Sequence, residues 1–349
     1  VEGRFMSFRF PVRRALVLAA ATAILAGCAE SKPPPAPVAP PAPIPTVSLS
    51  PRLVEQASAY RTYVDRAVQI SPAFTDGASI QQSLRTAESY EPQQLLRGAI
   101  AYGAVVALQD PGFRAGVRIY VADPDQRRTI AYEIMKDPAY ALGINGAAGA
   151  AGLVTAALGD DGKKLLSGGR AVKQAAYDVQ HQAWSKGDVV GREGRLAMAK
   201  QLSATPISGD VDLTAKLQQA VSGSAPLSLT PISAAPPYTP LVVRSLAVAA
   251  LAALGYADDG SLEQVMPLVA EPGSAQCLNM SKLNLYQCLA VAKPHYEDVF
   301  CLGQHVLMDT GSCLMKGVGV ADPTPVALPL PVTQVSTKGP VRSAHKRKR

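Results

Sequence analysis

The stretch Leu108–Ile144, LQDPGFRAGVRIYVADPDQRRTIAYEIMKDPAYALGI, decides how the chain is read. It contains three Asp-Pro pairs, Asp110-Pro111, Asp123-Pro124 and Asp137-Pro138, placed 13 and 14 residues apart. An aspartate carboxylate accepts from the orphan amides of a first helical turn, and proline fits where the N–H would have no partner. Each pair predicts a helix start. The segments that begin at Leu108 and Met135 form a faint two-copy repeat, too short a series for a solenoid, so the match is read as recurring cap chemistry.

The same grammar extends outward. Leu53, Ala57, Tyr60, Val64 and Val68 recur at helical spacing behind Ser50 and Pro51, which supply a cap and a first-turn proline for a helix over 48–69. Further helices are predicted over 79–90 and from Pro92 onward. Downstream they are predicted over 160–184 with a break or kink near Gly168, over 210–221 and over 241–256. Composition points the same way: 17% charged and 48% apolar residues exclude a disordered bulk, and only 5% are aromatic. A core made of small aliphatic side chains favours closely packed helices. The predicted fold is all-α: a multi-helix body and a disulfide-stapled C-terminal helical module, flanked by disordered Pro-rich segments.

Between Asp137 and Asp160 no charge appears for 22 residues, and Gly143, Gly146, Gly149 and Gly152 recur at every third position. Alanine and glycine offer little area at about 25 cal/mol per Å², which disfavours a membrane span. The stripe is predicted to be a helix-packing or self-association face, where small residues let backbones approach. Insertion of residues 138–159 into a membrane is the rival reading. Gly162-Lys163-Lys164 and Gly168-Gly169 lack the residue order of a phosphate loop. His181 is expected on the surface beside Trp184 at the edge of the core.

From Met6, the order is a basic region with Arg9, Arg13 and Arg14, an uncharged run from Ala15 to Gly27, then Cys28. This is a signal-peptide layout, and 13 apolar residues reach only about 20 Å as a helix, short of a hydrocarbon core of roughly 30 Å. Leu25-Ala26-Gly27-Cys28 resembles the lipobox of bacterial lipoproteins. The resemblance, confined to this segment, implies diacylglyceryl attachment to the Cys28 sulfur, an acyl anchor, and, with Ala29 next in the chain, residence at the periplasmic face of the outer membrane. Pro33–Pro45 then reads as a polyproline II spacer of roughly 40 Å.

Four cysteines remain, Cys277, Cys288, Cys301 and Cys313. Outside the cytoplasm they read as two disulfides, with three pairings open. A zinc site using His295 or His305 is disfavoured, because the gaps of 10, 12 and 11 residues are too wide for ligand pairs. Asp309-Thr310-Gly311 carries the letters of an aspartic-protease turn, but no second copy exists in the sequence. It is expected to be a turn between bridged helices.

Four arginines and Glu2 give residues 1–27 a net +3, so the remainder holds +4 of the formal +7. Lys338, Arg342, Lys346, Arg347, Lys348 and Arg349 contribute +6 of it, leaving the rest of the mature chain at −2. Such a cationic tail suits anionic lipid, lipopolysaccharide or peptidoglycan. Nucleic acid is not an expected partner in that compartment.

The chain is thus divided into a signal peptide (1–27), a lipidated cysteine with its stalk (28–47), a helical domain (48–222), a Pro-rich linker (223–240), a cysteine-containing module (241–318) and a basic tail (319–349). No catalytic residue, metal or cofactor is assigned. The expected role is a non-enzymatic envelope scaffold or assembly partner, working through a membrane anchor and either another envelope protein or self-association. Alternatives are a cell-wall-active enzyme with an unrecognised carboxylate site, for instance at Glu133 or Asp137, and a membrane-inserting glycine-rich lipoprotein.

Overall fold

The computed structural model describes residues 46–323. The signal segment, Cys28, the Pro-rich stalk up to Pro45 and the six cations of the tail lie outside the described residues. Among the described residues thirteen α-helices succeed one another: α1 Pro51–Ala67, α2 Gly77–Glu88, α3 Pro92–Ala107, α4 Pro111–Arg118, α5 Pro124–Lys136, α6 Ala147–Val179, α7 Arg192–Ala204, α8 Val211–Ser222, α9 Pro240–Leu254, α10 Leu262–Val265, α11 Pro272–Val291, α12 His295–Cys301 and α13 Asp309–Gly317. Among the described residues there is no strand, only an isolated bridge between Asp188 and Pro294.

The predicted starts are where the caps place them. Asp110 accepts from the Phe113 amide at 2.7 Å, Asp123 from Asp125 at 2.9 Å and Asp137 from Ala139 at 2.9 Å. The third opens a 3₁₀ turn, Pro138–Gly143, rather than an α-helix. Ser50 and Asp210 cap α1 and α8 in the same way.

The core is built on α3 and α9. Every residue from Ser245 to Leu254 is buried, and α9 packs against α3, α4, α5 and the 3₁₀ turn. A Cβ on Gly103 of α3 would lie 2.4 Å from Ser245 Oγ, so the two helices meet at van der Waals range only because that atom is absent. The chain before α1 is pinned to the end of α9: the Ser48 amide donates to Ala252 O at 3.2 Å and the Ser50 amide to Ala257 O at 2.6 Å.

Residues 48–222 and 241–318, read from sequence as separate domains, form one compact unit. The reason is that α9 fills the centre of the first set while α6 receives α12 and α13 from the second. The Pro-rich segment between them is a strap. Ala234 N–H donates to Ala148 O at 3.0 Å, and Leu227, Leu229 and Tyr238 pack on the core.

Helix α6 runs unbroken through Gly168 and Gly169. The expected kink is absent because tertiary contact compensates for the weak helix propensity of glycine. A Cβ on Gly162 would sit 2.8 Å from Gly311 O, and one on Gly311 would sit 2.6 Å from Gly162 O. Gly169 and Gly303 meet likewise, each 2.9 Å from the other's carbonyl by the same measure.

The stripe singled out in sequence makes close approaches at three of its four glycines, but to different partners. A Cβ added at Gly143 would meet nothing within 4 Å, and Gly146 takes a positive φ of 87° just before α6. Gly149 faces the Asp110 carboxylate, and Gly152 lies under the carbonyl of Ile232 in the strap. These four do not form a shared helix face.

Gly311→Ala should lower stability by about 1–3 kcal/mol through overpacking. At Gly168, where nothing lies within 4 Å of an added Cβ, alanine should raise stability by up to about 1 kcal/mol. Urea denaturation midpoints of the two variants test the pair, and similar midpoints would overturn the close-approach account.

Candidate functional site

The richest chemistry lies where the helical segment 295–317 packs on α6 and α2 on one side and on α11 on the other. Cys277 and Cys288 are 11 residues apart on α11, about three full turns, and so share one face. The disulfides are Cys277–Cys313 and Cys288–Cys301. This nested pairing is the one an antiparallel helical hairpin requires, because the start of α11 lies beside the end of the returning segment. That segment is helical throughout, with a π-helical stretch at Leu302–Met308 between α12 and α13.

Asp309-Thr310-Gly311 is therefore the first turn of a helix and not the expected turn between helices. Thr310 is buried and hydrogen-bonded with Tyr90 at 2.8 Å, while Gly311 is the close-approach residue on α6. Asp309 pairs with His305 Nδ1 at 3.0 Å and accepts from Gln304 at 3.1 Å and Asn284 at 3.4 Å. Burial pushes its carboxyl up, but these donors outweigh burial and hold it below its ordinary range.

Beneath this surface lies a buried ionic network. Arg195 of α7 forms an ion pair with Asp298 of α12 and also donates to Leu289 O and, at 3.3 Å, to Ala292 O. Gln81 of α2 donates to the same aspartate at 2.9 Å. Lys282 donates to Glu88 O at 2.5 Å, with its ammonium 3.4 Å from the centre of the Tyr90 ring. Burial drives Lys282 far below its ordinary pKa, against the pull of Glu88 and Glu91. Burial also lifts Glu88 to about 7, opposed by Lys282 and Arg85. A second pair, Arg61–Asp161 at 2.6 Å, ties α1 to α6, and Tyr60 donates to the same carboxylate at 3.0 Å. Arg195, Asp298, Lys282, Arg61 and Asp161 are thus engaged in bonds that join helices.

Two open grooves flank the disulfides. The first, about 530 Å³, runs over Cys277–Cys313 between α11 and α13 and is lined by Gln276, Met280, Asn284, Asp309, Ser312 and Lys316. The second, about 550 Å³, lies over Cys288 and is apolar and aromatic, lined by Tyr177, Gln180, Val291, Tyr296, Glu297 and Phe300. Tyr177 and Phe300 stand edge to face with centroids 6.5 Å apart, and Lys173 Nζ lies 5.1 Å from the Phe300 ring. Tyr177 is 48% exposed and Val291 74%, so the groove keeps apolar surface open to solvent. A concave apolar surface with a few polar groups is the usual form of a binding site. Sequence reasoning missed these residues, although an exposed tyrosine and valine on polar helix faces are a weak local signal.

The other residues singled out in sequence lie apart from the grooves or serve structural roles. His181 is exposed and Trp184 half-buried against the core, as expected. His295 packs on Gly77. Among the described residues no group of three or more His, Cys, Asp and Glu side chains could hold a metal. Glu133 sits in a surface pair with Lys136 at 3.9 Å, and Asp137 caps the 3₁₀ turn, so neither lines these two grooves. No helix among the described residues is long and apolar enough to cross a membrane, and residues 138–159 divide between the 3₁₀ turn and the start of α6. The chain matches no protein-family model, no curated protein and no solved structure.

Glu88 provides a pH test of the ionic network. Its pKa rises from an ordinary 4.5 to about 7 on folding, so the folded chain holds the proton more tightly. That stabilisation is complete below pH 4.5 and is lost as pH rises through 7. Glu88→Gln should flatten the decline in urea midpoint across this window. An unchanged slope would show that Glu88 is not buried as described.

Proposed function

We propose that the chain is a lipoprotein held by Cys28 at the periplasmic face of the outer membrane, where it acts as a non-enzymatic scaffold or assembly partner in the cell envelope. The observation that carries this reading is the pairing of all four cysteines among the described residues into two disulfides. Such bonds persist in the periplasm and are rare in the cytosol. They agree with the compartment implied by the lipobox-like Leu25-Ala26-Gly27-Cys28.

The scaffold part of the reading is supported by how the body uses its charges. Arg195, Asp298, Lys282, Arg61 and Asp161 hold helices together, while the two grooves present mostly apolar and neutral polar side chains, with Asp309 and Lys316 at the first and Glu297 at the second. The basic tail, Lys338 to Arg349, adds attraction to anionic lipid, lipopolysaccharide or peptidoglycan. A self-association face at Gly143–Gly152 is not retained, because Gly146, Gly149 and Gly152 are covered by Phe113, Asp110 and the strap.

Expression of the full precursor in a Gram-negative host with labelled palmitate tests the anchor. The native chain should carry label and sediment with outer membranes, whereas Cys28→Ser should lose both while keeping its disulfides. Unlabelled, reduced native protein in the cytosol would overturn the proposal. Crosslinking in whole cells should capture a discrete envelope protein, and altered muropeptides after treatment with the purified protein would instead favour a cell-wall enzyme.

A further inference from the structure

We propose that the pocket lined by Arg114 and Arg118 binds a phosphate ester that carries an apolar group, the chemistry of an anionic lipid headgroup. The site lies wholly among the described residues and does not depend on Cys28 or on the envelope role.

Two cations are brought together here without a counterion. Arg114 and Arg118 stand four residues apart on α4, so they project from one face with Cβ atoms about 5–6 Å apart. Both line a pocket of about 490 Å³, and none of its lining residues is acidic. Among the described residues no carboxylate forms an ion pair with either guanidinium. The carboxylates nearest in sequence are occupied at helix caps: Asp110 accepts from the Phe113 amide, and Asp123 from those of Asp125 and Gln126. Burial, and then the charge of Arg118, hold Arg114 below its ordinary pKa. A lone solvated arginine needs no partner, but two that repel each other in one concavity favour an anion between them.

The Arg114 guanidinium is also held in place. It lies on the end of α8, with Nη1 2.8 Å and Nη2 3.2 Å from where a Cβ on Gly223 would stand, in space that the glycine leaves. A planar fork positioned in advance loses less freedom on binding.

The pocket offers more than a bare oxyanion needs. Paired N–H donors of two guanidinium groups suit a phosphate. Beside them Val47, Val121 and Ala253 form an apolar wall, and the volume falls in the range of organic-ligand sites, about 300–1,000 Å³. A phosphate ester with hydrocarbon next to its charge uses both parts, whereas inorganic phosphate uses the arginines alone.

Isothermal titration of the full chain with dihexanoylphosphatidylglycerol, kept below its micellar concentration, tests the site. Saturable binding is expected, and Arg114→Gln with Arg118→Gln should weaken it about tenfold or more. The urea midpoint of that variant should stay the same or rise, because a repulsion is removed. Lys163→Gln with Lys164→Gln, which removes equal charge from an exposed part of α6, should leave the affinity unchanged. Inorganic phosphate should compete only at concentrations about tenfold higher or more, since it forgoes the apolar wall. No binding, an affinity untouched by the arginine changes, an equal loss in the lysine variant, a lowered urea midpoint or equal potency of inorganic phosphate would each overturn the proposal.

Discussion

At Gly162, Gly169, Gly303 and Gly311 the backbones of α6 and the last helical segment come into direct contact, and much of the C-terminal architecture depends on it. Each atomic contact contributes only about 0.1–0.2 kcal/mol, but close approach multiplies their number over many turns. With α13 held on α6, the two disulfides fasten α11 to the outside of the same segment. The ionic network is then enclosed between α2, α7, α11 and α12. The aromatic groove lies where α6, α11 and α12 meet beside the Cys288–Cys301 bond.

The buried charges constrain this arrangement more than they stabilise it. Removing two ions from water is costly, and their attraction offsets that cost only with good geometry and satisfied neighbours. Asp298 receives both Arg195 and Gln81, while Lys282 has a carbonyl and an aromatic face. Each bond links different helices, so a misdocked α7 or α11 would leave an unpaired charge in the interior. Penalising alternatives in this way helps a small-residue core, whose smooth faces could otherwise slide.

Local chemistry makes much of the fold legible. Asp110, Asp123, Ser50 and Asp210 announce helix starts because a cap is satisfied within three residues of itself. The disulfides are legible too, although not their pairing, which depends on the antiparallel course of α11. The features that escape are set by partners distant in sequence. Gly168-Gly169 reads as a break because isolated helices disfavour glycine, and only the facing Gly303 and Met308 reveal why it is tolerated. The Pro-rich stretch 223–240 looks like a boundary because its composition cannot show that Ala234 bonds to Ala148. The ionic network and groove join residues from three or four helices, and no local spacing foretells them.

The two backbone hydrogen bonds that the Ser48 and Ser50 amides donate at the end of α9 also determine how the molecule bears load. Tension arriving through the chain ahead of Thr46 acts first on the most deeply buried helix, rather than peeling α1 away turn by turn. Load applied at Thr46 would thus be shared between the first helix and the core instead of unzipping α1 alone.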